Sequence, residues 1–171
     1  MEEEILKDQK RMIIRRKNNA LFFGLLLLII CSCDANRVYE KNVTLPEKVW
    51  DKENELSFDV EIDDTVSSHN IYVNIRNASH YSYSNLYLFV TTTAPSGAAI
   101  RDTFECILAD EKGKWLGEGL GDIWDNQIPF KRNVRFPLKG IYRFNLTQAM
   151  RQDQLPFIMD AGIRIERIEF K

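Results

Sequence analysis

From Leu56 onward, apolar and polar residues alternate with a period of two. Leu56, Phe58, Val60 and Ile62 are separated by Ser57, Asp59 and Glu61, which is the signature of a strand with one dry and one wet face. Ile71, Val73 and Ile75 repeat the pattern, with Tyr72, Asn74 and Arg76 turned outward. In the next run Leu86, Leu88 and Val90 face one way and Tyr87 and Phe89 the other, so this strand is expected to be covered on both faces. Ile100 to Leu108, Asn133 to Phe136 and Ile141 to Leu146 predict three more strands, and Gly162 to Phe170 predicts the last. The apolar phase slips between Ile165 and Ile168, which suggests a bulge near Glu166-Arg167.

Turn-forming residues punctuate these runs at Asp63-Asp64, Ser67-Ser68, Ala94-Pro95-Ser96-Gly97, Asp110 to Gly113 and Lys139-Gly140. Seven to eight short strands at such spacing, with no long helical periods between them, predict an all-β, antiparallel β-sandwich, jelly-roll-like, with at most one short helix. That helical turn is expected at Thr147 to Gln154, with Thr147 as cap and Pro156 as stop. No repeat of 20–50 residues is present, which argues against solenoids and propellers. The polar stretch Asp34 to Glu55 reads as a tether, although Val38-Tyr39 and Val49-Trp50 are apolar enough to dock on the domain.

Ahead of this stretch, Arg15, Arg16 and Lys17 precede an apolar run from Ala20 to Ile30, and Ser32 stands before Cys33. Positive segment, short apolar segment and small residue are the parts of a secretory leader. The apolar run is roughly half of what a bilayer-crossing helix needs. The ending Ile30-Cys31-Ser32-Cys33 resembles the lipobox of bacterial lipoproteins, in which the last cysteine is acylated and the leader cut before it. Cleavage before Cys31 would put bulky Ile30 at the cut, so Cys33 is the better lipidation site. The segment before Met12 is acidic (Glu2, Glu3, Glu4, Asp8), and a start at Met12 would make a more ordinary leader. The expected organisation is a leader at 1–32, a lipid-anchored tether and first strand at 33–54, and the sandwich at 55–171.

Composition narrows the chemistry. Of 23 Lys+Arg and 25 Asp+Glu, 6 and 4 lie before Cys33, leaving 17 against 21 and a net charge of about −4 in the mature part. A nucleic-acid surface would need a basic excess, so no nucleic acid is expected as partner. Once Cys33 is acylated, Cys106 is the thiol that remains; within the alternation Phe104, Cys106, Leu108 it reads as a small buried hydrophobe rather than a nucleophile. The chain's histidines, His69 and His80, stand in polar turn sequence. No Ser-His-Asp set, carboxylate pair or Cys/His cluster with metal spacing can be picked out, and no cofactor is expected.

The most unusual segment is Asp110 to Pro129, with four glycines, two tryptophans and five carboxylates between two strands. A loop near twenty residues inside a compact domain is usually functional when ordered. Trp115, Gly117, Gly119, Gly121, Asp122, Trp124, Asp125 and Asn126 therefore form a candidate interaction loop, since tryptophans are enriched at binding hot spots. Asp122, Asp125 and Asn126, with Glu118, are a weak calcium candidate, because hard oxygen ligands suit that ion, although their order is not that of an EF-hand. Trp115 and Trp124 are alternatively stacking platforms for a glycan. The plainest reading is structural: glycines in linked turns with positive φ, and tryptophans plugging one end of the sandwich. A phosphate loop is discounted, because no lysine or βαβ unit follows the glycines. Ser79 to Asn85, with His80, Tyr81 and Tyr83, is a second polar, tyrosine-rich turn.

Several segments together resemble the GldH family of gliding-motility lipoproteins. They are Asn36-Arg37-Val38-Tyr39-Glu40 after the cysteine, Tyr83-Ser84-Asn85-Leu86, Arg101-Asp102-Thr103, Leu108 to Gly117, Gly119 to Asn126 and Gln148-Ala149-Met150-Arg151. The resemblance covers nearly all of the mature chain, and the Gly/Trp segment is its most specific part; the acidic extension before Met12 departs from it. It implies a non-enzymatic cell-envelope lipoprotein, held to a lipid bilayer through acylated Cys33. Its implied partners are other envelope proteins of adhesin-based motility and the linked type IX protein secretion machinery. The resemblance carries no catalytic residue. Asp34 after the cysteine would favour the inner membrane under the sorting rule of some bacteria; the expectation here is the outer membrane, facing the periplasm.

Overall fold

The computed structural model describes residues 34–168; the leader, Cys33 and the last three residues lie outside that range. The described residues form eleven strands: β1 (Arg37–Thr44), β2 (Val49–Asp51), β3 (Leu56–Ile62), β4 (His69–Ala78), β5 (Asn85–Thr93), β6 (Ala99–Ile107), β7 (Glu118–Leu120), β8 (Ile123–Val134), β9 (Gly140–Gln148), β10 (Gln154–Pro156) and β11 (Ile158–Arg167).

Their pairing is nested. β5 pairs with β6, β4 with β8, β3 with β9, β2 with β10 and β1 with β11, all antiparallel. The chain is thus one long hairpin bent over on itself, with β7 added beside β8. Folding that hairpin gives a five-stranded sheet in the order β1-β11-β4-β8-β7, a four-stranded sheet in the order β3-β9-β5-β6, and the small β10-β2 pair. This is a jelly roll, the double-sheet way of closing a Greek-key sandwich.

The alternation read from the sequence places the core correctly. Phe58, Val60, Phe144 and Leu146 from one sheet, and Val73, Ile75, Ile163 and Ile165 from the other, are essentially excluded from water. Burying each such side chain contributes about 1.5–3 kcal/mol. Cys106 is buried among them and free. The second face of β5 departs from expectation: Tyr87 is exposed, and Phe89 is half-buried under the Arg101 guanidinium, 3.9 Å from the ring centre.

Two further expectations are corrected. Thr147 to Gln154 is not helical: β9 runs on to Gln148 and a turn leads into β10. The buried Gln148 amide builds that turn, donating to the Gln152 and Asp153 carbonyls (2.8 and 3.2 Å) and accepting the Met150 N–H at 2.8 Å. The helical turn that does occur is a single 3-10 turn at Pro46–Lys48. The register slip near the C-terminus lies in β1, where Val38 is the extra residue between Arg37 and Tyr39; a second slip lies between Ile158 and Asp160.

Short connections keep the strand ends of the two sheets together. The near end, where β1 begins, carries loops 63–68, 94–98 and 135–139. The far end carries 45–55, 79–84, 108–117 and 149–153.

Candidate functional site

Residues 110–129 do not form a structureless loop. A tight turn opens the segment: the Asp110 side chain accepts the N–H groups of Lys112 and Lys114 at 2.9 and 2.8 Å, and Gly113 takes φ of 78°. Trp115 is thereby folded back against Ala109 and packs on the core. The rest is a β-hairpin at the sheet edge, β7–Gly121-Asp122–β8.

The glycines have different tasks. Gly121 sits in the hairpin turn with φ of 66°, where L side chains are disfavoured. Gly117 and Gly119 are required by close approach instead. A Cβ on Gly117 would stand 2.6 Å from the Asp125 carbonyl oxygen, and one on Gly119 would collide with the Trp124 ring. Trp124 therefore lies across Gly119, its cross-strand partner, and its indole N–H donates to Ser79 Oγ at 3.1 Å. The Ser79 N–H donates to the Asp122 carbonyl at 2.8 Å, so backbone and side chain both pin the hairpin to the β4–β5 loop. The tip stays bare: Leu120 is 92% exposed, and its partner Ile123 is also exposed.

Asp122, Asp125 and Asn126 do not converge on a point. Asp122 is in the turn, and Asp125 and Asn126 are consecutive strand residues on opposite faces. Asn126 is buried, donating to Asn77 Oδ1 at 2.9 Å and the Ile75 carbonyl at 3.2 Å. Asp125 meets Arg76 in a two-point contact, Nε to Oδ1 at 2.6 Å and Nη2 to Oδ2 at 3.3 Å. No group of three His, Cys, Asp or Glu side chains gathers as a metal cage among the described residues. Trp124 has one ring face and its N–H already engaged, which leaves it a poorer sugar platform than its sequence suggests.

Beside the hairpin, a groove of about 670 Å³ opens on the outer face of the five-stranded sheet. A polar net crosses four strands along it. Asp125 (β8) holds Arg76 (β4), whose Nη1 reaches Asp160 (β11) at 3.1 Å, and Asp160 accepts the Thr44 (β1) hydroxyl at 2.6 Å. The Asp125 hydrogen bond leads the effects that raise the Arg76 pKa above its ordinary value. A second net runs from Asn74 Nδ2 to Glu40 Oε1 and Asn42 Oδ1, both 3.1 Å, and Glu40 takes Arg164 Nη1 at 2.6 Å. Asn74 Oδ1 is buried without a partner. Asn42 lies over Gly162, where a Cβ would collide with it. Apart from Asp125, these groove residues were not singled out in the sequence, because outward polar positions on a strand carry no mark of which neighbours they will meet.

Nucleophilic chemistry finds no support in the groove or the core. Burial pushes the Cys106 thiol far above its ordinary range. His69 is buried and edge-on to Phe136 at 5.2 Å, and burial lowers its pKa. His80 lies against Phe157 at the far end, 5.6 Å between ring centres.

Comparison with known proteins identifies the family. The "Gliding motility lipoprotein GldH homolog" of Christiangramia forsetii is 34% identical over 148 residues, 82% of this chain and 90% of its own length. The "Gliding motility lipoprotein GldH" of Flavobacterium johnsoniae is 33% identical over 154 residues, 84% of this chain and 95% of its own. Among solved structures, the VP2 subviral particle of infectious bursal disease virus covers 80% of this chain and 34% of its own, at 13% identity and a TM-score of 0.37, too low to bear on fold or function. The sequence profile of the GldH lipoprotein family matches residues 37–165, from the first residue of β1 into β11, so the whole nested hairpin is covered. Hairpin, groove and jelly roll are thus those of a member of the GldH lipoprotein family.

Proposed function

We propose that this chain is a cell-envelope lipoprotein, anchored through Cys33, that serves gliding motility and the linked type IX secretion machinery as a non-enzymatic partner-binding component. The observation that carries the binding role is the β7–β8 hairpin. It is fixed by Trp124 on Gly119 and by two bonds to Ser79, at Trp124 and at the turn residue Asp122, while Leu120 and Ile123 flanking the turn face solvent. A rigid stem with a bare apolar tip is suited to insertion into a partner's pocket, because little conformational entropy is lost on binding. The groove beside it offers amide and carboxylate groups held in place by neighbouring strands, which suits recognition more than reaction. Membership of the family, whose named relatives are gliding-motility lipoproteins, directs the choice of partner. The outer membrane, facing the periplasm, is the location we propose.

A photo-crosslinking residue at Leu120, expressed in cells with the native anchor, tests this reading. Capture of motility or secretion envelope proteins is expected, and a control at Glu61 on the opposite sheet should capture far fewer. Failure to recover any such component at Leu120 would count against the hairpin as the binding element. Cys33→Ala should leave a folded domain that no longer fractionates with membranes.

A further inference from the structure

The near end of the sandwich has features that the hairpin does not explain. The β3–β4 loop is a tight turn in which Asp64 Oδ1 accepts the Val66 and Ser67 N–H groups, both at 2.9 Å. That turn leaves Val66 pointing away from the core and 79% exposed. In the neighbouring 135–139 loop, Phe136 is buried between His69 and Tyr142, with ring centres 5.2 and 4.8 Å apart. Burying Phe136 turns its neighbours outward: Arg135, Leu138 and Lys139 are all exposed, and the Leu138 N–H is tied to the Tyr142 hydroxyl at 3.1 Å. The C-terminal end of β11 joins the same surface, with Ile168 N–H on the Ser68 carbonyl and Arg167 N–H on the Asn36 carbonyl, both 2.8 Å.

Charges at the near end are close to balanced and differ in their pairing: Arg37, Arg132, Arg135, Lys139 and Arg167 stand with Glu61, Asp63, Asp64 and Glu166. Arg132, Arg135 and Lys139 have no carboxylate partner within salt-bridge distance among the described residues, whereas Asp64 lies 3.9 Å from Arg167. At the far end, carboxylates outnumber basic side chains in the loops. The chain as a whole is acidic, so three unpaired cations at one end are a local arrangement rather than a reflection of composition.

Cys33 stands four residues before Arg37, the first residue of β1. Four residues of chain span at most about 14 Å, whatever path they take. If Cys33 carries the acyl chains, the near end is therefore the end held within reach of the lipid headgroups. We infer that this end is a lipid-docking surface: Val66 and Leu138 enter the headgroup layer, and Arg132, Arg135 and Lys139 pair with anionic headgroups. Docking here directs the β7–β8 hairpin away from the membrane, toward protein partners. The inference rests on the proposed anchor at Cys33.

The test uses the full lipidated chain reconstituted in vesicles of phosphatidylcholine and phosphatidylglycerol containing nitroxide-labelled lipid. A fluorophore is attached to Val66→Cys in one sample and to Leu120→Cys in another; Cys106 is buried, and both new sites are exposed, so folding and labelling are not compromised. Quenching several-fold stronger at 66 than at 120 is expected. Each cation near an anionic surface is worth about fivefold in favour of the docked orientation. Arg132→Gln/Arg135→Gln/Lys139→Gln, or vesicles of phosphatidylcholine without the anionic lipid, should therefore abolish most of the contrast. A chain that floats with vesicles yet is quenched equally at both positions would overturn the docking surface and leave the anchor standing. A chain that does not float would overturn the anchor and the docking surface together. A probe at 66 that becomes shielded in detergent as protein concentration rises would show that a second copy covers this end, and would also overturn the proposal.

Discussion

The two ends of the jelly roll close the same core by different means. At the near end, aromatic rings do the closing: Phe136 meets buried His69 and Tyr142 edge to face, and the surrounding loops are short and carry exposed Arg135 and Lys139. At the far end, fully buried Trp50 closes the core from β2, with its indole N–H on the Asn54 carbonyl at 2.9 Å, and longer acidic loops surround the protruding β7–β8 hairpin. An aromatic plug with exposed cations suits the lipid docking inferred for this end. A hinged-down tryptophan with an external hairpin leaves an element free to reach a partner. The proposed division of labour thus follows from which residues are used up in closing the sandwich at each end.

The largest test of this contrast removes each plug in turn. Trp50→Ala should cost about 3–5 kcal/mol, because it empties the largest fully buried side chain. Phe136→Ala should cost about 3 kcal/mol, since His69 and Tyr142 can close partly on the gap. Urea unfolding of the two variants measures both, and a larger loss for Phe136→Ala would reverse the ranking of the ends.

A smaller effect separates the two kinds of glycine in the hairpin. Gly119→Ala must displace the Trp124 ring, which costs about 1–3 kcal/mol and breaks the indole bond to Ser79. Gly121→Ala meets nothing within 4 Å and carries the strain of positive φ, about 1 kcal/mol. Tryptophan fluorescence should shift in the first variant and stay unchanged in the second, and an unchanged spectrum in both would mean that Trp124 is not seated on Gly119.

The smallest effect is pH dependence at the near end. Burial lowers the His69 pKa below its ordinary value, so the unfolded chain binds a proton as pH falls through about 6.5 while the folded chain does not. Stability from this group is therefore full above that pH and declines below it, by no more than about 1.4 kcal/mol per pH unit for one proton. Asp59, whose pKa is held down by its hydrogen bonds from Arg143, adds a loss of its own only in the ordinary carboxylate range and below. His69→Gln should flatten the decline between about pH 5 and 6.5. A decline of equal slope in that variant would assign it to other groups.

The legible and illegible parts of the chain divide along a physical line. Strands β3, β4 and β9 were readable because each has one wet and one dry face, so alternation encodes them directly. β8 was mostly missed: its core face includes Asn126, and Pro129 interrupts it where the register with β4 slips between Ile71 and Tyr72. A first strand was expected within 33–54, but the bounds of β1 were not legible, because it is an edge strand with no fully buried residue, stabilised by its ladder with β11 rather than by apolar content. Gly119 was marked as unusual, but its purpose depends on the ring from the next strand.

The sequence by itself determined the all-β class, the wet and dry faces of the main strands, the acidic mature composition, and the lipobox-like ending at Cys33 with the family resemblance. These are local properties, readable from neighbours along the chain. Only the tertiary structure decided the nested order of the pairs, the polar nets of Arg76 and Asn74, the seat of Trp124 on Gly119, and the gathering of unpaired Arg132, Arg135 and Lys139 at one end. Each of these joins residues tens of positions apart, such as Thr44 with Asp160, and such contacts exist only once the long hairpin has been folded over.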